Sequence, residues 1–212
     1  MAIVAKNTGG TAYEPLEAGN YPARCISMIR VGTVEEEYLG KKKWMDKVTL
    51  TFEIPDEQKV FTEAKGMQTY VFSKDFTLSM YEKANLRKVL ESWRGKAFTN
   101  EQAESFDITA LVGKPCLLNI IHKQVGDKTY ANIAGISAMP KGMTCSPQIN
   151  ESVVFNVEEF DQKVFDGLSE YVQNKIKRSR EYVAFQNPNV THDEPASSNS
   201  LETNDDDSDL PF

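Results

Sequence analysis

The chain has 212 residues, 40% apolar and 10% aromatic, which suits one sizeable globular domain with appendages. No apolar run approaches the ~18 residues of a membrane-spanning helix, and the opening MAIVAKNTGG has no apolar core followed by a cleavage site. Neither a membrane span nor a signal peptide is expected. The formal net charge of −7 sits at one end. Residues 189–212 hold seven acids (Asp193, Glu194, Glu202, Asp205, Asp206, Asp207, Asp209) and no Lys or Arg. Removing those seven from the 31 acids leaves 24, equal to the 24 bases of the whole chain. A balanced body still binds a polyanion where its bases gather on one face, so the low overall charge is weak evidence against a nucleic-acid partner. Cys25, Cys116 and Cys145 are odd in number and widely spaced, which disfavours a disulfide framework or a zinc site and fits a reducing cytoplasm.

Residues 1–18, polar and containing Thr8-Gly9-Gly10-Thr11, read as a loose arm. Tyr21–Arg30 reads as a strand whose apolar residues Cys25, Ile26, Met28 and Ile29 populate both faces, as in a strand covered on both sides. Glu35–Gly40 is a charged connection. Lys41–Ile54 carries the clearest alternation, with Val48, Leu50, Phe52 and Ile54 on one face, Lys47, Thr49, Thr51 and Glu53 on the other, and Pro55 as its end. Met67–Ser73 is a third strand, with Tyr70 and Phe72 on one face.

The period then changes. Leu86, Val89, Leu90 and Trp93 fall at helical spacing before Gly95, and Met80 or Tyr81 extends the same stripe. Arg87, Lys88, Arg94 and Lys96 are assigned to the solvated side of that helix. A short helix is expected over Asn100–Ser105, capped by Thr99 or Asn100, and a further turn over Asp107–Val112. Pro115–Lys123 and Thr129–Ala138 read as a hairpin around Gly126-Asp127. Beyond Gly142, Val157, Phe160, Val164 and Leu168 predict one helix. Tyr171, Val172 and Ile176 predict another, carrying Lys175, Lys177, Arg178 and Arg180. Five strands with a helical insert between the third and fourth is the order of an OB-fold, a five-stranded, partly open Greek-key barrel, although other small barrels share it. The expected class is therefore mainly β with helical additions (α+β). Its divisions are the arm 1–18, the barrel 19–142, a helical annex 143–188 and a disordered acidic tail 189–212.

The chemistry-bearing residues point to binding. His122 and His192 have no Cys or carboxylate partner at ligand spacing, and no P-loop, dinucleotide glycine pattern or HExxH occurs. No catalysis, metal or cofactor is expected. Basic and aromatic residues interleave most densely at Tyr38, Lys41, Lys42, Lys43, Trp44 and Lys47. Single-strand binding needs cations to follow phosphates and rings on which bases stack. Two readings stand there. The lysines either bind nucleic acid or guard a solvated edge, and Trp44, which shares parity with Val48 and Leu50, either stacks or is core. Tyr70 and Lys74 form a second group with Phe72 and Phe76. One of Tyr70 and Phe72 is assigned to the core, with Tyr70 the better stacking candidate because its hydroxyl prefers a wet edge. Lys123, Lys128 and Tyr130 flank the last hairpin, and Arg24 and Arg30 are placed towards the groove from the first strand.

The chain ends on Asp205-Asp206-Asp207-Ser208-Asp209-Leu210-Pro211-Phe212, a repelling acidic run closed by an apolar hook that suits capture by a pocket with an apolar floor and a basic rim. These eight residues resemble the acidic tip of bacterial single-stranded DNA-binding proteins, with Leu210 where Ile is usual. Over residues 19 to 142, the succession GNYPARC, KKKW, TLTFEIP, LRKVLESWRGKAFT, FDITALVGKPCLLNI and YANIAGISAMPKG resembles the single-stranded DNA-binding proteins of tailed phages. The resemblance implies an OB-fold that coats single-stranded DNA in phage replication, recombination and repair, in the cytoplasm of a bacterial host. It implies a tip that recruits partner proteins through Asp205–Asp207, Asp209, Leu210, Pro211 and Phe212 and competes with DNA for the basic groove. A homo-oligomer is left open, and tetramer formation does not carry over because the body does not resemble the bacterial chromosomal domain. Two alternatives remain: a protein-interaction adaptor, or an annealing or recombination protein that also binds duplex.

Overall fold

The computed structural model describes residues 14–38 and 40–187, with Tyr38 described by its backbone alone. The first thirteen residues and the acidic tip, including Asp205, Asp206, Asp207, Asp209, Leu210, Pro211 and Phe212, lie outside the described residues. Six strands form an open, mainly antiparallel sheet with short helices added, an α+β arrangement. The strands are β1 (Gly19–Tyr38), β2 (Lys41–Val60), β3 (Met67–Thr77), β4 (Pro115–Val125), β5 (Lys128–Ser137) and β6 (Val153–Asn156). The sheet order is β3-β2-β1-β4-β5, with β6 beside β1.

β1 organises the rest. Its first residues pair with β4, Ser27–Arg30 pair in parallel with β6, and the whole stretch from Arg24 to Tyr38 pairs with β2. Register shifts at Cys25/Ser27 and Arg30/Gly32 turn its side chains, which gives the imperfect alternation in the sequence a physical cause. Cys25 and Met28 join the main core, whereas Ile29 and Val31 join a second core with Phe155, Val157, Phe165 and Ile176. The strand is covered on both sides.

β2 buries Val48, Leu50, Phe52 and Ile54, as its alternation predicts. Its opposite face is partly buried as well, at Thr49 and Glu53. Glu53 is 0% exposed, and its carboxylate accepts hydrogen bonds from the backbone N–H of Ile149 (2.7 Å) and of Asn150 (3.0 Å) and from Asn150 Nδ2 (2.6 Å). Pro55 does not end the strand. It sits where the ladder to β3 shifts register between Ile54 and Gln58, the kind of position that tolerates a missing N–H. The charged stretch after Val34 is likewise not a loop: Glu35, Glu36 and Glu37 pair with Trp44, Lys43 and Lys42 in a two-stranded ribbon.

Helix α1 (Asn85–Arg94) packs Leu86, Leu90 and Trp93 into the main core and stops at Gly95 in the left-handed region (φ 66°). It begins after Tyr81, which is 50% exposed and outside the stripe. Arg87, expected on the solvated side, is 7% exposed. Its guanidinium donates to Glu91 and to the carbonyls of Met80 and Phe98, tying three segments together. Helix α2 (Asn100–Glu104) is capped by Thr99, with Gln102 completing a capping box.

The single helix predicted around Val157–Leu168 is replaced by a short 3-10 turn (Val157–Glu159), which directly follows β6, and by α3 (Gln162–Gly167). Asn156 and Asp161 each cap a new start with the side chain, interrupting the helix that the apolar spacing alone predicts. Helices α4 (Glu170–Ile176) and α5 (Arg180–Gln186) follow, capped by Ser169 and Ser179. The end of the arm is anchored too. Leu16 is buried in the main core, and its carbonyl lies 2.8 Å from His122 Nε2.

Candidate nucleic-acid interface

The ribbon, the end of β3, the start of α1 and the middle of β5 enclose a cleft of about 500 Å³. Lys43, Met45 and Lys47 line it from β2, Lys74 and Phe76 from β3, Tyr81 from the connection, Lys88 and Val89 from α1, and Ala134 from β5. Among the described residues four lysines and one carboxylate, Asp75, face this space. Lys43 and Lys88 are exposed and make no ion pair among the described residues, so their charge is available to a ligand. Lys47 pairs with Glu36 at 2.7 Å. Lys74 Nζ donates to the carbonyl of Ile133 at 3.0 Å, reaching from β3 to β5 across the opening of the sheet. Phe76 is buried and forms floor, while Met45 and Tyr81 supply the accessible apolar wall.

Of the residues expected to bind DNA, Lys43, Lys47 and Lys74 come together in this cleft. Lys41 and Lys42 remain exposed near the end of the ribbon, and Lys42 pairs with Glu35 at 2.9 Å. Tyr38 is the register partner of Lys41. Trp44 is not core. It is 43% exposed beneath the Arg180 guanidinium, which stands 3.9 Å from the ring centroid, and it lines a neighbouring hollow with Lys175 and Arg178. Lys123, Lys128 and Tyr130 are exposed on the β4–β5 hairpin, where Lys123 and Tyr130 are register partners, and do not line the cleft.

Three expected positions need correction. Tyr70 is 8% exposed and packs edge-on against Phe61 (5.0 Å) and parallel to Phe72 (6.4 Å), so it is the core member of the pair and Phe72 the half-buried one. Arg24 does not reach a groove. Its guanidinium donates to the carbonyls of Gly113 (2.9 Å), Cys145 (3.0 Å) and Ser146 (2.7 Å), closing the connection after β5 onto β1. Arg30 is similarly engaged, with Asp46 at 2.8 Å and with Glu158. Burial opposes its charge, but hydrogen bonds to both carboxylates hold its pKa above the ordinary guanidinium value.

Tyr81, Met45 and Lys88 are the cleft residues that the sequence reading did not place there. Lys88 gives no local signal, because its place in the cleft follows from how α1 packs against β3 and β5. Tyr81 gives one: the helical spacing is cleaner from Leu86 onward, which leaves the ring outside the helix.

The cleft offers lysine charge beside an accessible apolar wall. Burial pushes the Cys25 thiol up to about 12 and raises that of Cys116 as well, keeping both protonated. Among the described residues no three His, Cys, Asp or Glu side chains are grouped to hold a metal ion, and no helix is long and apolar enough to cross a membrane. What the arrangement can do is follow a flexible polyanion with lysines while offering it a ring and a thioether. No protein-family model and no curated protein matches the chain.

Proposed function

We propose that this protein binds and coats single-stranded DNA without strong sequence preference, as an OB-type barrel serving phage replication, recombination and repair in a bacterial cytoplasm. The single observation that carries the reading is the cleft in which Lys43, Lys47, Lys74 and Lys88 surround Met45 and the half-exposed Tyr81 ring. Cations spaced along a groove neutralise phosphates, and an accessible ring stacks any base, which gives affinity without sequence readout. The barrel reading is supported by the sheet order β3-β2-β1-β4-β5, by α1 between the third and fourth strands, and by the reach of Lys74 to Ile133, which draws the sheet edges together. No catalytic step belongs to this proposal. The acidic segment ending in Leu210-Pro211-Phe212 is assigned to recruiting partner proteins and to competing for the lysines when DNA is absent.

The test is a titration of fluorescently labelled oligo-dT at two salt concentrations, with duplex DNA of the same length as competitor. Four phosphate contacts predict a slope of log K against log salt of about −3, and weak displacement by duplex. Absence of binding, or binding indifferent to salt, would remove the reading. Equal displacement by duplex would replace it with an annealing or recombination role.

A further inference from the structure

Among the described residues Asp75 is the one carboxylate lining the lysine cleft, and its environment is specific. It stands on β3 opposite Thr49, whose hydroxyl donates to Oδ1 at 2.6 Å. Its other oxygen, Oδ2, is paired with Lys175 Nζ, which arrives from α4, one hundred residues later in the chain. Lys175 does not line the cleft. It approaches from the neighbouring hollow beside Trp44 and Arg178, and Asp75 belongs to both spaces.

A strand of phosphates drawn to Lys43, Lys47, Lys74 and Lys88 passes within a Debye length of this carboxylate, so an unpaired Asp75 would repel it. On β2, Thr49 is neutral and Lys47 pairs with Glu36, whereas Asp75 has its salt bridge with Lys175. We infer that Lys175 is a positioning residue of the DNA cleft: by pairing with Asp75 it removes the cleft's single repulsive charge, which makes the helices after β6 part of the binding unit. This inference rests on the single-strand reading above. It assigns Lys175 to the cleft through Asp75, not through a phosphate of its own.

A double-mutant cycle separates those possibilities, reading oligo-dT affinity at low salt and the salt slope, with melting curves to confirm that each variant is folded. For a pair this exposed, Lys175→Ala is expected to weaken binding about two- to fivefold, with the slope unchanged because no phosphate contact is lost. Lys175→Arg retains native affinity. Asp75→Asn tightens binding, and Lys175→Ala added to Asp75→Asn causes no further loss. Two results overturn the inference while the single-strand reading stands: native affinity in Lys175→Ala, or an equal loss in the Asp75→Asn background with the slope reduced by about 0.7, which marks a direct phosphate contact. If the native protein shows no salt-dependent binding of oligo-dT, both fall together.

Discussion

Tyr70 and Tyr81 are eleven positions apart and have opposite environments. Tyr70 is enclosed by Phe61 and Phe72, whereas Tyr81 is half-exposed and lines the cleft. Tyr81→Ala is therefore expected to weaken oligo-dT binding by about 1–3 kcal/mol, the worth of one stacked base, with an unchanged melting temperature. Tyr70→Ala is expected to cost about 3 kcal/mol of stability, measured by denaturant unfolding. The sequence placed Tyr70 and Phe72 on one face correctly, but which ring is enclosed depends on Phe61, supplied by a different segment. Local parity cannot report that. Arg24 and Arg87 teach the same lesson: an arginine reads as groove-facing on a strand, or as solvated on a helix, until the carbonyls that collect its N–H groups are known. The thiols give a third residue-scale expectation. Cys25 is held protonated up to about 12 in the folded chain, against an ordinary value of 9, and Cys116 is displaced the same way. Their contribution to stability is complete below pH 9 and is lost as pH rises towards the folded values, because the unfolded chain ionises first. Each thiol then removes about 1.4 kcal/mol per pH unit, a decline that thermal melts between pH 8 and 11 would follow and that Cys25→Ala would lessen.

At the scale of elements, the contact between β1 and α5 holds the ribbon in place. Gly32 has φ 95°, and a Cβ there would lie 2.5 Å from a Glu181 carboxylate oxygen, 2.8 Å from Ser179 Cβ and 2.9 Å from Val157 Cγ1. Glu181 in turn accepts from the Thr33 backbone N–H and hydroxyl, both at 2.7 Å, and Arg180 covers Trp44. Gly32→Ala thus combines backbone strain with a collision. A loss of about 1–3 kcal/mol is expected, with faster amide exchange in α5 and in Thr33 than in β4. Uniform exchange across the molecule would contradict this latch. The strands of the main sheet and α1 were legible because burial imposes a period on them. The region after Gly142 was not, because a 3-10 turn and α3 in succession place Val157, Phe160, Val164 and Leu168 at spacings that mimic one helix. Its interruptions were nevertheless written in Asn156 and Asp161, whose side chains begin new turns.

For the whole molecule, two cores share β1, so the residues after Gly142 belong to the same folded unit as the sheet. The cleft lies where the ribbon, β3, α1 and β5 meet, which is why only part of it could be read from the sequence: three of its lysines come from strands with a clear period, while Lys88 arrives by the path of a helix. The central claim is that these lysines bind single-stranded DNA. The most direct test is Lys43→Glu/Lys88→Glu, which reverses the two exposed cleft lysines that have no ion pair among the described residues and leaves the core untouched. Measured by anisotropy with labelled oligo-dT at low salt, the double variant is expected to lose at least about tenfold in affinity and to show a shallower salt slope by about 1.4, the equivalent of two phosphates, with a native melting temperature. Affinity and slope equal to those of the native protein would place the DNA elsewhere and contradict the account.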